Sequence, residues 1–210
     1  MKMLKYTLLS DGSSDQALLP ILSWVLHAQS NELEVQSEWA DLRLLPTPPQ
    51  TLVTKIARGI ELYPCNILFI HRDAESQSPQ LRVDEIQRAI DEAAQAQTLP
   101  THVCVVPVRM QEAWLLFDEM AIRYAAGNPN GNVPITLPPL DHLEELPSPK
   151  AELYQLLRQA SGRTGRRLKR FQPNKQVRRI PDFIDDFSPL RALSAFATLE
   201  TDVARIIIQS

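Results

Sequence analysis

No apolar run in the chain approaches the roughly 18 residues that a membrane-spanning helix requires. The opening segment, MKMLKYTLLSDG, also meets Asp11 too soon to serve as a signal peptide. A cytoplasmic protein with no membrane partner is the expectation. Cysteine is scarce: Cys65 and Cys104 are the only two, too few for a zinc site or a disulfide framework. Both fall in or beside apolar, strand-like segments, which reads as a place in the core. No serine occupies a Gly-x-Ser-x-Gly elbow, and neither cysteine lies outside a strand, which sets aside serine and cysteine hydrolases. Gly12-Ser13-Ser14 lacks the glycine and lysine pattern of a P-loop, so the chain carries no Walker A site of its own. There is no internal repeat.

What the sequence does hold is an ordinary globular composition, 44% apolar and 22% charged over 210 residues, enough for a full core in one domain. Its net charge of −3 hides an asymmetry. Residues 1–100 carry 8 Lys/Arg against 13 Asp/Glu, whereas residues 161–180 carry 8 Lys/Arg and no acid. Such a block points to a polyanion or a protein partner.

Residues 5–10 (KYTLLS) form a short apolar run ending at Asp11-Gly12, with Ser13 and Gln16 spaced as a capping box for a following helix. Pro20 is expected to kink that helix. A second strand lies within 33–45, and Val53, Ile56, Ala57 and Ile60 mark one face of a helix. Residues 66–70 (NILFI) suit a strand buried on both faces, and they run into His71-Arg72-Asp73-Ala74-Glu75. Ser78-Pro79 opens a helix bearing Val83, Ile86 and Ile90. Residues 102–108 (HVCVVPV) form a fourth strand, with Pro107 taking its end out of the ladder. The segment 111–126 (QEAWLLFDEMAIRYAA) reads as one helix, with Trp114, Leu115 and Phe117 in the core. A Pro-rich loop over 127–149, a helix over 150–159, a basic loop over 161–180 and a final helix from Ser188-Pro189 complete the chain. Alternating strands and helices imply an α/β three-layer sandwich with a mostly parallel sheet. The core is expected over 1–126, with 127–210 packed on it.

In such a sheet the ligand crevice lies outside the carboxyl ends of the strands. Asp11 follows strand 1, Asp73 and Glu75 follow strand 3, and Glu112 follows strand 4. Clustered carboxylates repel one another unless a cation joins them, and Mg²⁺ favours one or two direct carboxylates completed by water and phosphate. Asp11, Asp73, Glu75 and Glu112 are therefore the candidate ligands of Mg²⁺ or Mn²⁺. Asp73 and Glu75 can aim at one ion if the strand direction persists through Ala74. His71 and Arg72 are placed to bind a scissile phosphate, or else one of them faces solvent and the other supports a carboxylate. Arg163, Arg166, Arg167, Lys169, Arg170, Lys175, Arg178 and Arg179 are candidate nucleic-acid contacts, and Phe171 among them either stacks on a base or packs.

The segments LLSDGSSDQALLPIL and ILFIHRDAE resemble the two signature motifs of the Toprim superfamily. VPVRMQEAWLLFD and SPKAELYQLL are similar to segments of small bacterial Toprim-related proteins of unknown function. The resemblance covers residues 4–157. It implies a Toprim/Rossmann-like fold and Mg²⁺-dependent cleavage or joining of DNA or RNA phosphodiesters, in defence or repair. It assigns general acid/base work to Asp11 and metal binding to Asp73 and Glu75. Asp11 stands where the family usually has Glu, and Glu75 where it usually has Asp, so reach differs at both positions. Neither a cleavage-domain tyrosine nor a zinc-binding primase apparatus is visible, which leaves nuclease chemistry. Related Toprim nucleases are fused to an ABC-type ATPase, so an ATPase partner in trans is conceivable, and a non-catalytic binding or regulatory subunit is the alternative.

Overall fold

The computed structural model describes residues 2–30 and 32–208. Four parallel strands, β1 (Lys2–Leu9), β2 (Leu33–Trp39), β3 (Ile67–His71) and β4 (Thr101–Val105), pair in the order β2-β1-β3-β4. Helices α1 (Leu18–Gln29), α2 (Leu52–Leu62) and α3 (Pro79–Ala93) make the crossovers. The chain is thus an α/β three-layer sandwich with an all-parallel sheet. All five residues of β3 are buried, as a central parallel strand covered on both faces requires.

Alternation along the strands sorts the core. Leu4, Tyr6 and Leu8 of β1, with Phe69 and Val103, meet Leu18, Leu22 and Val25 of α1 on one face. Leu68 and Ile70 meet Ile56 of α2 and Ile86 and Ile90 of α3 on the other. Of the later helices, α4 (Glu119–Ala125), α5 (Pro149–Ala160), α7 (Pro173–Val177) and α8 (Ser194–Ile208) join the core on the α1 side, while α6 (Gly165–Lys169) buries no residue. No helix among the described residues is long and apolar enough to cross a membrane.

Several local expectations are corrected. Residues Ser13–Ala17 form a 3-10 turn in which the Gly12 amide donates to the Asp15 carboxylate at 2.8 Å, so Asp15 rather than a Ser13–Gln16 box organises the start. Because α1 begins only at Leu18, Pro20 lies in its first turn, where no amide partner is due and no kink is required. The single helix expected over 111–126 is a 3-10 turn, Gln111–Leu115, followed by α4, whose N-cap Asp118 accepts from the Ala121 amide. The basic stretch is not loop, since α6 and α7 form within it and Phe171 and Val177 anchor it in the core. The last helix starts at Ser194, after a 3-10 turn at Ser188–Ala192. Cys65 and Cys104 are half-buried rather than core, and burial pushes both thiols above their ordinary pKa, Cys104 to about 11.

Candidate functional site

The first crossover leaves β1 toward β2 and the next returns to β3 on its other side, so the strand order reverses between β1 and β3. A crevice opens at the carboxyl ends of those two strands. There a cavity of about 260 Å³ is lined by Asp11, Gly12, Ser14, Asp15, His71, Arg72, Asp73, Glu75, Arg82 and Lys150. Asp11, Asp73 and Glu75 therefore share one cavity, as their positions after the strands suggested. A larger concavity, about 600 Å³, lies at the outer edge of β4 between α3 and α8. Its lining holds one acid, Asp202, beside His102, Cys104 and Arg205, whereas the carboxylates gather in the smaller cavity.

Past its regular end, β3 stays tied to the chain leaving β4. The Arg72, Ala74 and Glu75 amides donate to the carbonyls of Val105, Pro107 and Arg109 at 3.2, 3.2 and 2.7 Å. Glu75 and Arg109, joined by the last of these bonds, are the two non-glycine residues with positive φ among the described residues, 55° and 62°. Paired left-handed residues at a cavity rim are backbone strain held in place by their surroundings. They also end the extended geometry that would have aimed Asp73 and Glu75 alike. Glu75 instead faces Arg82, 3.4 Å away.

Asp73 is set deeper. Its Oδ1 accepts from the Gln111 backbone amide at 2.8 Å and lies 3.5 Å from His71 Nε2, while Oδ2 has no protein partner among the described residues. Gln111 also donates through Nε2 to Asp15 Oδ1 at 2.8 Å, which clasps the β1 turn to the β3 turn. Asp15 and Glu112 are 7% and 2% exposed. Burial, reinforced by the negative charges of Glu112 and Asp15, raises the Asp73 pKa to about 6 despite the opposing influence of His71 and the Gln111 amide. Lys150, from the first turn of α5, stands 3.5 Å from Glu112. Burial works against its charge, but Glu112 prevails and the lysine pKa is raised.

Asp11 is handled differently. Lys55 of α2 reaches its Oδ1 at 2.6 Å and Arg72 its Oδ2 at 2.8 Å. Partial burial would raise its pKa, yet the Lys55 hydrogen bond and the charges of Lys55, Arg72 and His71 hold it below the ordinary value. Arg72 continues to Glu85 at 3.1 Å, Glu85 to Arg82 at 2.8 Å, and Arg82 to Glu75. The rim is one chain of alternating charge from Lys55 to Glu75. His71, 4% exposed, bonds through Nδ1 to the Val105 carbonyl, so it does not face solvent, while Arg72 supports the Asp11 carboxylate.

Comparison with protein-family models, curated proteins and solved structures finds no match. The site is read from its own chemistry. Among the described residues no group of three or more His, Cys, Asp or Glu is arranged to hold a metal ion. Asp11 and Glu75 are engaged by cations. Asp73 is the carboxylate whose chemistry fits a hard divalent ion, because one oxygen is free and a cation would offset the burial and the negative charges of Glu112 and Asp15 that raise its pKa. Asp15 supplies a second carboxylate in the same cavity. Its signal in the sequence was the spacing Asp11-x-x-x-Asp15. Gln111 and Lys150 left no such signal, since a lone glutamine and a first-turn lysine are unremarkable until the fold brings them in.

Beside the cavity, α7 packs on the Ser13–Ala17 turn, and Arg178 and Arg179 line a groove with Gln16, the residue after Asp15. All eight basic residues of 163–179 are exposed, and none makes an ion pair among the described residues. Phe171, 7% exposed, packs in the core beneath the Arg163 guanidinium, 5.0 Å from its ring.

Proposed function

We propose that the protein is a Toprim-like, divalent-metal-dependent nuclease acting on DNA or RNA phosphodiesters. The observation that carries this reading is the meeting, in one cavity, of the partnerless Asp73 oxygen with the cations of Arg72, Arg82 and Lys150. Phosphodiester chemistry needs both: cations to seat the phosphate and a carboxylate to hold a metal beside it. Asp73 and Asp15, with Glu112 behind them, are the residues that would hold Mg²⁺ or Mn²⁺. When bound, that ion supplies polarisation of a phosphate oxygen and a water of lowered pKa. Asp11, kept ionised by Lys55 and Arg72, acts as a proton acceptor, and Arg72 and Lys150 orient the phosphate. The unpaired cations of 163–179, adjacent through Arg178 and Arg179, hold the strand.

A second reading is favoured by the tethering of Asp11 to two cations and of Glu75 to Arg82. In it the chain is a non-catalytic Toprim-like subunit that binds nucleic acid or an ATPase partner. Incubation of the purified protein with single- and double-stranded DNA and RNA in Mg²⁺ or Mn²⁺, beside Asp73→Ala, separates the two. The nuclease reading expects cleavage that falls at least about 100-fold in the variant. Cleavage equal in both proteins removes Asp73 from the mechanism. Metal binding by calorimetry with no cleavage, alone or with an ATPase, selects the subunit reading.

A further inference from the structure

At the carboxyl end of β2, the end of the sheet at which the cavity opens, Trp39 and Arg43 form a cation–π pair that the mechanism above does not use. The guanidinium carbon of Arg43 lies 4.8 Å over the Trp39 ring. Each partner is fixed. Trp39 donates through Nε1 to Ser10 Oγ at 2.9 Å, and Ser10 directly precedes Asp11. Arg43 is gripped in bidentate fashion by Asp41, Nε to Oδ1 at 2.7 Å and the terminal nitrogen to Oδ2 at 2.9 Å. Asp15 of the cavity is among the charges that act on Arg43. The Arg43 side chain is nonetheless 47% exposed. The next residue, Leu44, is 82% exposed and gives the same turn an apolar edge.

A guanidinium that rests over an aromatic ring and is already satisfied by a carboxylate is a poor phosphate ligand and a good stacking surface. The bases of a duplex have their faces covered by neighbours, whereas an unpaired base offers its face to an aromatic ring or an arginine plane. We propose that Arg43, laid on Trp39, is a stacking platform for an unpaired base beside the cavity, which makes single-stranded or locally unpaired nucleic acid the preferred substrate. This rests on the nucleic-acid reading above and adds the substrate class to it. The same construction recurs at Trp24, Arg191 and Glu200, with Arg191 5.4 Å over the ring and gripped by Glu200; neither pair lines the cavity itself, but the Trp39 pair is hydrogen-bonded to Ser10, next to Asp11. That second stack is an internal control for a merely structural role.

The test is fluorescence anisotropy of the full chain, in EDTA to prevent turnover, with a labelled single-stranded DNA oligonucleotide and the blunt duplex that it forms with its complement. Wild type is expected to prefer the single strand. Arg43→Ala should weaken single-strand binding on the order of 10-fold and leave the duplex unchanged. Because stacking is not ionic, the factor should be the same at about 50 and about 200 mM salt. Arg43→Lys, which keeps charge and loses the plane, should behave like Arg43→Ala, and Arg191→Ala like wild type. An equal loss on both probes, no loss on either, or rescue by lysine overturns the platform while leaving nucleic-acid binding intact. Wild type that binds neither probe overturns the nucleic-acid reading and the platform with it.

Discussion

The cavity rim and the α6–α7 segment both concentrate charge, yet they use it in opposite ways. At the rim Lys55, Arg72 and Arg82 are each committed to a carboxylate, in a chain that runs through Asp11, Glu85 and Glu75. Across 163–179 eight exposed cations make no ion pair among the described residues, while Phe171 and Val177 fasten the backbone beneath. Paired charges fix geometry, because each side chain has a preferred place. Unpaired charges on a fastened backbone leave their electrostatic attraction for something outside the molecule. The difference separates a site that positions groups from a surface that gathers a polyanion.

The largest effect expected from disturbing this arrangement is on the fastening. Phe171→Ala removes a buried aromatic ring from under Arg163 and should cost about 3 to 5 kcal/mol of stability in urea denaturation. A loss below about 1 kcal/mol would mean that the basic segment is attached only loosely. Next is the surface itself. Combined Arg166→Glu, Arg167→Glu, Arg178→Glu and Arg179→Glu should weaken oligonucleotide binding on the order of 100-fold near physiological salt. The slope of log affinity on log salt should become shallower by about 0.7 for each single-strand phosphate that is no longer neutralised. Since these residues are exposed, thermal stability should hardly move. Binding unchanged in the quadruple variant would erase the contrast between the two regions.

The smallest effect probes the acid that the rim does not pair. With its pKa raised to about 6, Asp73 keeps in the native state a proton that the unfolded chain has already released. Wild-type stability should therefore fall as pH rises between about 4 and about 6, and level off above. Asp73→Asn, which retains an acceptor for the Gln111 amide, removes that penalty. It should be more stable than wild type by on the order of 2 kcal/mol at pH 7 and no more stable below about pH 4. Urea titrations at several pH values check the sign. A variant less stable than wild type at neutral pH would show that Asp73 already has a compensating partner.

Which of these features could be read before folding follows from the range of the interactions involved. The strand–helix alternation and the buried β3 run NILFI are written in local apolar periodicity, so the parallel α/β sandwich was legible, and with it the placing of Asp11 and Asp73 at strand ends. The basic block was legible as composition, but its helices were not. Without the core contacts of Phe171 and Val177, five-residue helices have no reason to form. The break between Leu115 and α4 was hidden for a similar reason, since Gln111 is held through Asp73, 38 residues back, and Asp15, 96 residues back.

By itself the sequence determined the layer architecture, the strand ends that carry acids and the unevenness of charge, because each depends on side-chain type and spacing along the chain. Only the tertiary structure decided which carboxylates are free. Lys55, Arg72 and Arg82 come from three different elements to occupy Asp11 and Glu75, and burial beside Asp15 and Glu112 leaves Asp73 as the acid whose charge is least supported. Local spacing could not assign those partners, since the free energy of a charge is set by whatever the fold brings within a few ångströms of it.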